Sequence, residues 1–142
     1  MTANIISIIF ITLIAIGCAI SDYRNKIVPN LLVLLMIIFG VIRHIFNQDY
    51  QVLQVATIIL FSVLFYSFWI AGWWGAGDAK FCIAMIVCFP YPSLAVTALG
   101  IKYLLAYIYR NKMVGKRFPA VTYIVPGYLI WLAVYIFFPI TF

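Results

Sequence analysis

Only three side chains in this 142-residue sequence are carboxylic acids: Asp22, Asp49 and Asp78, with no glutamate. Asp22 closes one apolar run and Asp78 opens another, whereas Asp49 stands in a polar stretch, Asn47-Gln48-Asp49. A carboxylate at the edge of a membrane-like segment is costly and usually functional. Two at one depth can work as a pair. Like charges held close cannot both ionise easily, so they share one proton. The ionised member takes a proton from water and the protonated member polarises a carbonyl, which is peptide hydrolysis without a metal or a nucleophilic Ser or Cys. Blander roles exist for each. Asp78 follows Gly77 and precedes an apolar run, so it can cap a helix, and Asp22 can pair with Lys26 one turn on.

Other chemistry finds little support. Cys18, Cys82 and Cys88 lie inside apolar runs with no CxxC pair, and His44 is the single histidine. Neither a disulfide framework nor a metal site is expected, nor a cofactor. The thiols read as small packing groups, and His44 as an interfacial residue at a helix end.

The elements that must hold Asp22 and Asp78 are membrane spans. Apolar residues make up 68% of the chain and charged residues only 8%, against about 25% charged in soluble domains. Runs of near-spanning length fall roughly at residues 3–20, 29–46, 52–71, 79–90, 93–109 and 119–138. Lipid excludes open sheets, because unpaired backbone groups there are too costly. The expectation is an all-α, polytopic bundle of about six transmembrane helices forming one domain over residues 1–142. The fourth run is short, closed by Pro90-Tyr91-Pro92. Residues 3–20 lack a basic region before them and a cleavage site after them, so they read as a retained helix.

The nine Lys and Arg residues assign sides. Arg24 and Lys26, Lys80, and Arg110, Lys112, Lys116 and Arg117 fall in the first, third and fifth connections, while Arg43, offset by Asp49, is alone in the second. The excess puts the odd connections in the cytoplasm and both termini outside. The net charge of +6 therefore reads as a topology signal at an anionic bilayer surface, not as nucleic-acid binding. Asp22 and Asp78 then share the cytoplasmic face, and Asp49 lies opposite. Trp69, Trp73 and Trp74, with Tyr103, Tyr107 and Tyr109, read as headgroup anchors. Lys102 falls inside the fifth run, where it can snorkel to an interface.

Local sequence sharpens the pairing. Asp78 stands in Gly75-Ala76-Gly77-Asp78-Ala79-Lys80, a GxGD motif followed by x-Lys. The glycines permit sharp turns and leave room for an extended chain beside the acid. Asp22 opens Asp22-Tyr23-Arg24-Asn25-Lys26-Ile27-Val28-Pro29-Asn30, with Pro29 suited to a helix's first turn. Together these stretches resemble the type IV prepilin peptidase family of GxGD aspartyl proteases. Arg117-Phe118-Pro119-Ala120 with Pro126-Gly127 is a degenerate echo of the proline-rich opening of that family's last helix.

The resemblance implies catalytic Asp22 and Asp78, supported by Gly75, Gly77, Lys80, Pro29 and Asn30. It implies a prepilin or pseudopilin substrate, whose basic leader is cut after a glycine at the cytoplasmic border of an inner (cytoplasmic) membrane, before a long apolar helix. Without the paired CxxC motifs of the large members, the chain is similar to the small peptidase-only members of Flp/Tad-type pilus systems, and N-methylation is not expected. The resemblance leaves the oligomeric state open. Two alternatives stand beside it: a presenilin-like protease cutting within the bilayer, and a non-enzymatic transport or assembly subunit. Helix-end electrostatics would place the shared proton mostly on Asp22, at the negative end of its span, and the charge on Asp78.

The topology has a direct check. Cysteines introduced near residues 24 and 114 are expected to react with a membrane-impermeant thiol reagent only from the cytoplasmic side, and one near residue 48 only from outside. The inverted pattern would separate the two aspartates from the cytoplasm.

Overall fold

Each apolar run becomes one helix in the computed structural model, which describes residues 2–47, 51–109 and 120–137. The helices are α1 (Thr2–Asn25), α2 (Asn30–Asn47), α3 (Val52–Ile70), α4 (Ala76–Cys88), α5 (Pro92–Tyr109) and α6 (Ala120–Phe137). Among the described residues there is no strand. Four helices (α1, α3, α5 and α6) are long and apolar enough to cross a membrane, and α2 is a shorter apolar helix. The chain is a helical membrane bundle.

The 13-residue α4 is about 20 Å long at 1.5 Å per residue, short of the roughly 30 Å hydrocarbon core. It need not span alone, because it lies inside the bundle. Its buried residues Ala79, Phe81, Cys82, Ala84, Met85, Ile86 and Cys88 cover most of its surface, leaving the face of Lys80, Ile83 and Val87 exposed or partly buried. It packs between α2 and α3 and also touches α5 and α6, while α1 packs on α2 and α6, and α5 on α6. The outer α3 buries only Thr57 and Phe65 and turns Leu53, Ile59, Leu60, Val63 and Ile70 outward, toward lipid.

Small residues set the closest approaches. A Cβ on Gly40 of α2 would fall 2.9 Å from Cys88 Sγ and 3.0 Å from Cys88 Cα. One on Gly127 of α6 would fall 2.7 Å from Ala98 Cα of α5. Such contacts let helices associate in lipid, where burying apolar area supplies no drive. Polar bonds add to them. Thr12 donates to Ile8 O, so its hydroxyl accepts from Tyr128 of α6 at 2.8 Å. Trp131 Nε1 donates to Ser93 Oγ at 3.0 Å. All three cysteines are buried and free.

The closed end of α4 explains two residues misread from sequence. Pro92 has no N–H to offer the Cys88 carbonyl, and the Tyr91 N–H goes to Phe89 O, not Val87 O. Both orphan carbonyls are met from α2. Arg43 donates to Cys88 O at 2.7 Å, and His44 Nε2 lies 3.0 Å from Val87 O, an acceptor only, so Nε2 carries the hydrogen. The Arg43 guanidinium also stacks over Phe89 at 4.9 Å. Arg43 is therefore not a loop charge, and His44 is not interfacial. Both are buried.

Arg43→Ala should leave Cys88 O unmet, at a cost of about 1–3 kcal/mol. The expected result is a lower melting temperature in detergent than for Arg24→Ala, whose residue is exposed. Equal melting of the two variants would refute the capping role.

Candidate active site

The last turns of α1 run past the predicted end at residue 20. Nothing breaks the helix until Pro29, so Asp22 sits on its wall, with Lys26 N–H closing onto Asp22 O at 3.0 Å. Lys26 then takes a left-handed φ of 56°, which stops the helix. Ser21 Oγ donates to Ile27 O across the turn. Lys26 Nζ lies 5.3 Å from the Tyr23 ring centroid.

Asp22 is buried. Its Oδ2 accepts from the backbone N–H of Val121 at 3.0 Å and of Thr122 at 3.3 Å. Both belong to the first turn of α6, whose N–H groups have no intrahelical partner. Thr122 Oγ1 donates back to Ala19 O. The start of α6 is thus clamped on Asp22, a role for Ala120-Val121-Thr122 that the sequence reading did not assign. Its visible signal was the degenerate echo before them; Arg117, Phe118 and Pro119 lie outside the described residues, as does Asp49.

Asp78 is the third residue of α4, and its Oδ2 accepts from Gly75 N–H at 3.2 Å, so it does help cap its helix. Both carboxylates therefore face the N–H groups of a helix start. The asymmetry that would charge Asp78 and protonate Asp22 is absent, because α6 supplies Asp22 with the same positive end that α4 supplies to Asp78.

The two motifs meet in a cavity of about 280 Å³ lined by Asp22, Val28, Pro29, Asn30, Gly77 and Asp78, with Lys26, Ile27 and Lys80 beside them. Lys80 Nζ donates to Asn30 Oδ1 at 3.2 Å, tying the x-Lys of the second motif to the Pro-Asn of the first. Gly77 faces Val28. A Cβ there would lie 3.0 Å from Val28 Cγ2 and 3.2 Å from Val28 Cβ. The second glycine leaves room for the first motif, not for a free chain. Gly75 begins α4 with extended backbone, φ −71° and ψ 151°.

A second cavity, of about 570 Å³, opens on the other side of Asp78, between Trp73, Trp74, Gly75, Lys102, Tyr103 and Ala120. Trp74 reaches it through the end of α3. Gly72, at φ 74°, donates to Trp69 O, and Trp73 N–H reaches back to Phe68 O, a Schellman closure. Trp74 then packs on Phe65 and Phe68 at 5.4 and 5.3 Å. It is a core residue, not a headgroup anchor, whereas Trp73 is exposed. Lys102 does not reach an interface either: it is buried, with Nζ 3.8 Å from the Trp74 ring centroid. Among the described residues no three His, Cys, Asp or Glu side chains cluster as metal ligands.

The model of the type IV leader peptidase family matches residues 8–110, more than half of the chain and both aspartate motifs. The chain belongs to this family. Comparison with curated proteins and with solved structures gives no match. Family membership makes the chain a membrane-embedded protein of a protease family. The matched segment ends before α6, so the clamp on Asp22 comes from a part of the chain that the match does not include.

The Gly77–Val28 contact can be tested by rescue. Gly77→Ala should lower peptidase activity about tenfold by displacing Asp78 from Asp22, and adding Val28→Ala should restore most of it. Gly100→Ala, with nothing within 4 Å of its new Cβ, is the control. A double variant no better than Gly77→Ala would rule out the contact as the cause.

Proposed function

We propose that this family member is a prepilin leader peptidase of the inner membrane, an aspartic endopeptidase with Asp22 and Asp78 as its catalytic pair. The observation that carries the reading is the shared cavity: two of the chain's three carboxylates, 56 positions apart in sequence, line one space at one end of the bundle. With water there, the chemistry needs no further group. The ionised carboxylate takes a proton as the water oxygen bonds to the scissile carbonyl carbon, and the protonated carboxylate gives its proton to the carbonyl oxygen. When the tetrahedral intermediate collapses, the C–N bond breaks. The carboxylate that took the proton from water passes it to the leaving nitrogen, and the other carboxylate takes one hydroxyl proton from the intermediate. The pair ends with the single proton it began with.

The substrate proposed is a prepilin or pseudopilin, cut after the glycine that ends its leader, at the cytoplasmic border. The charge distribution supports that side, with Arg24, Lys26 and Lys80 at the end of the bundle that holds the aspartates. The substrate's apolar helix lies in lipid while its extended leader enters the cavity. The new N-terminus leaves without N-methylation, and both ends of the peptidase face outward.

Co-expression with a candidate prepilin tests the reading by the mobility shift of the processed form. Asp22→Asn and Asp78→Asn should each reduce cleavage to background while the protein stays in the membrane, and Asp49→Asn should cleave as the wild type does. Processed pilin made by either of the first two variants would overturn the assignment.

A further inference from the structure

Lys102 continues the inner stripe of α5, Leu94, Ala95, Ala98 and Lys102, where every other member is apolar. A charge on such a stripe is costly unless something uses it. It is 6% exposed, it is roofed by the Trp74 ring, and it shares with Asp78 the cavity that ends at Ala120. Asp78 lies within its electrostatic reach. Ala120 is the residue before Val121, whose N–H holds Asp22. Lys102 thus stands behind Asp78, on the side away from the Asp22–Asn30 motif.

We propose that Lys102 is a positioning residue, the counter-ion that keeps the aspartate pair at one shared proton and not two. The inference rests on Asp22 and Asp78 being the catalytic pair. Two carboxylates held close oppose each other's ionisation, and uptake of a second proton would remove the base that activates water. A fixed positive charge opposes that uptake. Among the described residues, the other titratable groups facing Asp78 are Asp22 and Lys26 from α1 and its following turn, Lys80 and Cys82 from α4 itself, and Tyr103 from α5. Of α2, Asn30 faces this end, and of α3 and its turn, Trp73 and Trp74, none of them titratable; Tyr123 is the titratable residue near the start of α6. Lys80 is exposed and bonded to Asn30, and Lys26 is half-buried beside Tyr23. Water and salt screen both, whereas a charge in the interior acts about fourfold more strongly at equal distance. Lys102 is the buried cation at this end among the described residues.

The test is the pH–rate profile of prepilin cleavage by full-length enzyme in detergent or nanodiscs. Lys102→Gln should move the acidic limb up by about one pH unit, a loss of about tenfold in rate along that limb. Lys102→Arg should keep the wild-type limb, because the charge is restored. A purely structural role would lower the recovery of folded protein without moving the limb. Folded Lys102→Gln with the wild-type limb, or Lys102→Arg with a limb moved as far as that of Lys102→Gln, overturns the proposal. If Lys102→Gln is not recovered folded, coupling is read from the other partner by ¹⁵N NMR of the Lys102 Nζ. That group should titrate at lower pH in Asp78→Asn than in the wild type, and an unchanged titration overturns the proposal. The two readings fail separately: cleavage by Asp78→Asn removes the pair itself, whereas an unmoved limb in an enzyme that needs Asp78 removes only the counter-ion.

Discussion

A helix end buried in a water-poor interior must find partners for its unpaired backbone groups, and lipid supplies none. Three ends in this bundle meet that demand with charged or ionisable side chains. The first turn of α6 gives two N–H groups to Asp22. The start of α4 gives one to Asp78. The proline-blocked end of α4 takes donors from Arg43 and His44. These ties fix how α1, α2, α4 and α6 sit on one another. The bonds that complete helix ends are also the bonds that aim the two carboxylates.

The chemical part proposed for Asp22 and Asp78 therefore does not compete with their structural part. The bland reading of Asp78 was an N-cap; the N-cap is Gly75, and Asp78, the third residue of the helix, accepts its N–H without leaving the cavity. A carboxylate that accepts backbone N–H bonds is held in orientation by groups that cost nothing to reorganise, as a pre-arranged site requires. The short α4 serves the same end. Buried over most of its surface, it carries Asp78 at its start.

Contacts between the motifs give the supporting residues a physical meaning. Gly77 is small because Val28 lies against it, and Lys80 reaches Asn30 across the cavity rim. The spacing within each motif thus matters through the other motif. On the far wall, the Schellman turn after α3 folds Trp74 back onto Phe65 and over Lys102. An indole that composition assigned to the headgroup layer becomes the roof of a buried cation.

Much was legible in the sequence because lipid imposes simple rules. Span length and the absence of charge gave six helices close to the observed bounds. The scarcity of acids pointed to Asp22 and Asp78, and Pro90 and Pro92 marked the end of α4. Local sequence could not assign partners that are distant in the chain. Val121 and Thr122 lie about 100 positions from Asp22, Arg43 lies 45 from Cys88, and Trp74 and Lys102 stand on different elements. Apolar periodicity says which face turns inward, but not which backbone group waits there. For that reason the sequence by itself determined the helices and the candidate acids. Only the tertiary structure decided that Asp22 meets the start of α6, that Arg43 and His44 are caps, and that Lys102 points into the cavity beside Asp78.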